Sequence, residues 1–218
     1  MKIKFIRKKD EKALIKAERN MSRYLRTGDI IVTGPASENI GSIFRDVVVL
    51  ITRRTFRGVT HSCIYLGKGY LLDIDFNPLE RDSNVKMLSL KDFLKSKLRH
   101  YGSLAIYTVK PRYYSKYKRS LVVKESMETF LNGNKQNHRH SAVESLKLFF
   151  RFLFMRHKNY KENSDDIKSR TSWTCSLLVA HIFKKTGTKI GKRASYTFNP
   201  CTFLFSKYFK VKNKVIIK

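Results

Sequence analysis

Three side chains in this sequence have the types and spacing for nucleophilic acyl chemistry: a histidine, a carboxylate and a thiol. His61 lies in the run Thr60-His61-Ser62-Cys63-Ile64-Tyr65-Leu66, and Tyr70-Leu71-Leu72-Asp73 follows across Gly67-Lys68-Gly69. Runs rich in aliphatic, aromatic and β-branched residues around a glycine-flanked turn predict a β-hairpin, since glycine supplies the positive φ of a tight reversal. Side chains on a strand alternate between faces, so His61, Cys63 and Tyr65 share one face. If the turn pairs Leu66 with Tyr70, Asp75 lies opposite His61, and Asp73 lies diagonal to it on the same face. An imidazole beside a carboxylate is the base-plus-orienter half of a triad, and a nucleophile completes it. Far downstream, Thr174-Cys175-Ser176 opens an apolar segment that predicts a helix running to about Lys185 and ending at Gly187, capped by Thr174 or Ser172. A thiol in the first turn of a helix faces the positive end of its dipole, which favours the thiolate needed to attack an acyl carbon. Taken alone, such a cysteine is more ordinarily a small buried hydrophobe, and His61 a hydrogen-bonded strand histidine.

The elements that must hold these residues follow from hydrophobic periodicity. Leu14, Ala17, Met21 and Leu25 recur at helical spacing within residues 10–26, with Asp10 as cap. Gly28-Asp29 turns into a strand over Ile30–Thr33, a loop covers 35–41, and a second helix over 42–57 ends at Gly58. A short helix begins near Leu88, with Ser89 and Asp92 suited to its start, and a strand over 104–109 stops before Pro111. Two further helices, about 120–131 and 141–157, flank a loop over 132–140 that carries His138 and His140, read as solvated. The second contains Leu146-Lys147-Leu148-Phe149-Phe150-Arg151-Phe152-Leu153-Phe154-Met155-Arg156, apolar around most of its circumference and interrupted by cations. Such a segment suits a core helix, or one lying on an anionic membrane surface.

The 218 residues, 42% hydrophobic and 12% aromatic, fit a single domain with a buried core. The formal charge of +29 favours polyanions, either nucleic acid or an anionic membrane surface; a lysine-biased composition on a solvated surface is the plainer reading beside it. Its distribution is uneven: no acidic residue occurs between Phe93 and Lys124 or after Asp166. Tyr113, Tyr114 and Tyr117 alternate with Lys116, Lys118 and Arg119, a pattern that suits base stacking or a structural edge. Three cysteines without a C-x-x-C indicate neither a disulfide framework nor a zinc knuckle. His61, Cys63, Cys175 and His181 have no recognisable ligand spacing, so no metal or cofactor is expected. The opening residues lack the apolar core of a signal peptide, and no uncharged run approaches the ~18 residues of a bilayer span. The expectation is a soluble or peripheral membrane protein of reducing, cytoplasmic surroundings.

The order of these segments resembles the permuted branch of the NlpC-type papain-like family, the YiiX-like and lecithin:retinol acyltransferase-like proteins. The resemblance rests on Gly28-Asp29-Ile30-Ile31-Val32, on His61 through Gly69, on Asp73, and on Trp173-Thr174-Cys175-Ser176-Leu177-Leu178-Val179, and spans about residues 27–94 and 170–205. In that family the strand reads roughly His-x-Gly-apolar-Tyr-apolar-Gly-x-Gly, and a polar residue follows the His by twelve positions. That spacing selects Asp73 over Asp75 here. The histidine precedes the cysteine, the mark of the permuted branch. The resemblance implies an α+β, circularly permuted papain-like (NlpC-type) fold: a small antiparallel sheet packed on the nucleophile helix, a single domain over 1–218 and a helical insertion over about 113–171. It also implies a cysteine hydrolase or acyltransferase cleaving an amide or ester through a thioester acyl-enzyme. Cys175 attacks, His61 carries the proton, Asp73 orients the ring, and the Cys175 backbone N–H helps to hold the oxyanion. Cys63 departs from the family's glycine and narrows the pocket. The family includes amidases, peptidases and lipid acyl-transfer enzymes; the charge and the 146–156 segment favour an acyl lipid or another membrane-associated substrate. Similar proteins occur in bacteria and in large DNA viruses, including poxviruses, so host cytoplasm or virion is the matching location if the source is viral. The alternative is a catalytically idle basic module that associates with nucleic acid or anionic membrane.

Overall fold

Apolar residues at both parities of three neighbouring runs, 30–34, 61–67 and 70–73, require a sheet covered on both faces. The computed structural model describes residues 3–6, 11–34, 61–74, 85–98, 103–110, 113–135, 139–140, 172–190, 203 and 206–217. In chain order the elements are β1 (Ile3–Ile6), α1 (Glu11–Ser22), β2 (Ile30–Gly34), β3 (His61–Gly67), β4 (Tyr70–Asp73), β5 (Lys86–Ser89), α2 (Leu90–Leu98) and β6 (Ser103–Val109). They continue with α3 (Lys116–Lys135), β7 (Arg139–His140), β8 (Ser172–Trp173), α4 (Cys175–Lys185) and β9 (Phe209–Ile217). A seven-stranded sheet runs β1-β9-β6-β2-β3-β4-β5, antiparallel throughout except for the parallel β1–β9 pair, and β7 and β8 form a separate parallel pair. The α+β sheet-and-helix architecture therefore includes a wider sheet than the small antiparallel one expected. Residues 42–57, 75, 141–171 and 201 lie outside the described residues, and with them the expected 42–57 helix, Asp75, the 146–156 segment and Cys201.

Side-chain alternation divides the interior into two layers. Ile30, Val32, Ile64, Leu66, Leu72 and Ile74 face the helices α3 and α4, meeting Val122, Leu178, Val179, Ile182 and Phe183. Ile31, Cys63, Tyr65 and Leu71 face α1 and α2, meeting Ala17, Met21, Leu25, Leu90, Phe93 and Leu94. α4 packs on β3 and α3, and α1 packs on α2. The first helix of the expected insertion thus builds the core, since Val122 is fully buried and Tyr114 nearly so. The short helix expected from Leu88 starts later. Lys86–Ser89 pairs with β4 as β5, and Ser89 then caps α2, its hydroxyl accepting from the Asp92 N–H at 3.0 Å and donating to the Asp92 carboxylate at 2.6 Å.

One buried carboxylate ties three distant segments together. Asp29, fully buried, accepts from Arg119 Nη1 at 3.1 Å, from the Arg26 backbone N–H at 2.8 Å, and from Lys212 Nζ. Arg119 also donates to the Thr27 carbonyl at 2.8 Å and lies 4.3 Å from the centroid of the Tyr114 ring. Tyr114 donates its hydroxyl to the Gly28 carbonyl at 3.0 Å. Gly28 has φ +78°, and a Cβ there would come within 1.9 Å of the Tyr114 oxygen, so the position admits only glycine.

Burial, more than the opposed influences of Arg119 and Asp29, raises the Tyr114 phenol well above its ordinary value of 10.0. The folded state keeps this proton where the unfolded chain releases it. The contribution is therefore complete below about pH 10 and is lost as the pH climbs above it. Lys212, pushed below its ordinary 10.5 mainly by burial, acts in the opposite sense. Urea unfolding between about pH 9 and 11.5 is expected to show a falling alkaline limb that is flatter in Tyr114→Phe, with Lys212 unchanged in both proteins. An identical limb in the variant would show that Tyr114 titrates alike in both states.

Candidate active site

His61 opens β3 and Asp73 closes β4, so the hairpin itself brings them together. Gly67, Lys68 and Gly69 all take positive φ, at 100°, 50° and 82°, and make the reversal. Beyond a bulge at the turn, Tyr65 pairs with Leu71 and Ile64 with Leu72. Continuing that register sets Cys63 across from Asp73, with His61 diagonal to the carboxylate on the same face. The pair is closed: His61 Nε2 and Asp73 Oδ1 are 2.6 Å apart, and the two residues are 3% and 1% exposed. A carboxylate only accepts, so Nε2 donates and Nδ1 is left as the basic nitrogen of the neutral ring. Phe93 of α2 flanks the imidazole with ring centroids 6.5 Å apart. Thr33 pairs with His61 across β2–β3, and its buried hydroxyl has no hydrogen-bond partner among the described residues.

Cys175 is the first residue of α4, and Thr174 caps the helix by accepting from the Leu177 N–H at 3.3 Å. Thr174, rather than Ser172, is thus the cap. The Cys175 N–H has no acceptor among the described residues, as is usual for a donor in the first turn of a helix. Its side chain, 7% exposed, packs in the layer of Ile64 and Leu72, whereas His61 and Asp73 project towards the layer of Phe93. No hydrogen bond joins the Cys175 thiol to the pair. The cysteine that shares the face of His61 is Cys63, 1% exposed and packed with Ile31 and Leu71.

Of the aromatic–cation run, Tyr114 is core, Tyr113 packs edge-on against Tyr208 with centroids 4.9 Å apart, and Tyr117 alone is well exposed. Among the described residues no three His, Cys, Asp or Glu side chains form a metal-holding group, and no helix is long and apolar enough to cross a membrane. Sequence reasoning did not anticipate Thr33. Its one signal was its place at the end of the strand that pairs with the His61 strand. Comparisons with known family models, curated proteins and solved structures found no match for this chain.

Proposed function

We propose that this chain is a cysteine hydrolase or acyltransferase on a circularly permuted papain-like fold, cleaving an amide or ester through a thioester acyl-enzyme. The observation that carries the reading is the buried His61–Asp73 pair at 2.6 Å, on the strand against which the Cys175 helix packs. In this reading Nδ1 of His61 takes the Cys175 proton, and the sulfur adds to the acyl carbon. The oxyanion forms against the Cys175 N–H, and His61 returns the proton to the departing amine or alcohol as the C–N or C–O bond breaks. Water or an amine then attacks the thioester with His61 again as base, and the thiol is restored. Asp73 fixes the tautomer throughout and stabilises the imidazolium. Both His61 and Cys175 begin their elements, so in this reading the thiol has to reach the ring around the start of β3, from the layer on the other side of the sheet. The charge of +29 favours an anionic acyl substrate, such as a lipid at a membrane surface.

The separation of Cys175 from the pair between two layers favours a second reading, in which the pair is structural and the protein is an idle basic binding module. Limiting iodoacetamide followed by intact-protein and peptide mass spectrometry decides between them. Selective alkylation of Cys175 at mildly acidic pH, slowed on the order of ten-fold or more by His61→Ala, is expected of an activated thiol. Slow labelling of all cysteines, indifferent to His61→Ala, gives precedence to the binding module.

A further inference from the structure

The large positive charge is not spread evenly over the described surface. On the α3–α4 side four cations are engaged: Lys185 pairs with Glu125 at 2.6 Å, Lys124 with Glu128 at 3.8 Å, Lys118 donates to the Gly187 carbonyl at 2.9 Å, and Arg119 is held by Asp29; Lys116 is exposed and has no carboxylate partner among the described residues. The α1–α2 side differs. Lys16, Arg19 and Arg23, on α1 and the turn after it, and Lys91 and Lys95 on α2 are all exposed, and none of the five has a carboxylate partner among the described residues. Residues 16, 19 and 23 recur at the three- and four-residue intervals that place them on one helical face, rising about 4.5 and 6 Å along the axis. Lys91 and Lys95 repeat that spacing on the helix packed beside α1. Of the nearby acids, Glu18 is half-buried and Asp92 is occupied by Ser89.

We infer that the paired outer faces of α1 and α2 form a docking surface for the phosphodiester backbone of nucleic acid, read by charge and not by base sequence. Five unpaired ammonium and guanidinium groups in two rows match a polyanion of closely spaced phosphates, whose counterions they displace. A membrane surface fits less well, because an interfacial helix needs a buried apolar face. Here the apolar residues of α1 point into the core, and Ile15, 52% exposed, is the large apolar side chain offered outward. The surface does not depend on the thiol chemistry proposed above.

The test is fluorescence-anisotropy titration of the full chain with a short labelled DNA duplex of arbitrary sequence at several salt concentrations. Wild type is compared with Lys16→Glu/Arg19→Glu/Arg23→Glu and with the control Lys116→Glu/Lys124→Glu on the opposite side. Circular dichroism confirms that each is folded, as expected for exposed substitutions. Five phosphate contacts predict a slope of log K against log salt of about −4.5, falling to about −2 in the triple variant, with affinity weaker on the order of 100-fold and a lesser loss in the control. Equal losses in both variants would place the contact elsewhere and overturn the proposal. Binding to vesicles rich in anionic lipid without measurable duplex binding would overturn it in favour of a membrane.

Discussion

Replacing Asp29 by asparagine is expected to lower folding stability by about 3–5 kcal/mol, the range for removing one partner of a buried ion pair. The carboxylate is fully buried, while the Arg119 and Lys212 side chains that meet it are 19% and 16% exposed. The variant leaves two cations facing each other without the charge that reconciles them. It also weakens the acceptor for the Arg26 N–H, and so the turn that delivers the chain into β2. Elsewhere the same charge pairing has little leverage. Glu125 meets Lys185 at a comparable distance, but that lysine is 54% exposed, and Glu125→Gln is expected to cost no more than about 1 kcal/mol. Urea unfolding of the two variants at constant m-value makes the comparison. Similar small losses in both would mean that water reaches Asp29 freely and that the knot does not hold β2, α3 and β9 together.

That knot also marks where sequence reading stops. Gly28-Asp29 reads as a turn into a strand and is one, but Lys212 lies 183 residues away and nothing local nominates it. β9 carried a signal, since Phe209 and Val211 alternate with Lys210 and Lys212, yet the three lysines of the strand dilute the pattern. β5 had almost none: Lys86–Ser89 is a short strand, extended because it pairs with the edge of β4, and tertiary pairing overrode its local preference. The hairpin was legible in its register beyond the turn, because Gly67 and Gly69 place the reversal and period-two alternation fixes the faces; the bulge that pairs Tyr70 with Gly67 instead of Leu66 had no local signal. What alternation on β3 could not say is which face α4 covers. Ile64 and Leu66 on one side and Cys63 and Tyr65 on the other are equally suited to burial, so the strand contains no preference between helices.

The His61–Asp73 pair allows a sharper experiment than removal of the nucleophile. With a p-nitrophenyl ester as acyl donor, Asp73→Ala is expected to slow acylation by about 100- to 10,000-fold, the range spanned by losing a base or its tautomer control. Asp73→Asn is expected to stay within about ten-fold of wild type. A carbonyl oxygen in the place of Oδ1 still accepts from Nε2–H and so leaves Nδ1 as the basic nitrogen. Stability alone does not separate these roles, because the alanine variant leaves a buried imidazole without its partner and both variants lose a charge. Rescue by asparagine does separate them: a carboxylate kept only to neutralise a buried imidazolium is not replaced by a neutral amide, whereas one that positions a neutral ring is. If acylation is the same in all three proteins while the alanine variant unfolds more easily, the pair is a structural clasp between β3 and β4. His61 is then not the base for the thiol of Cys175.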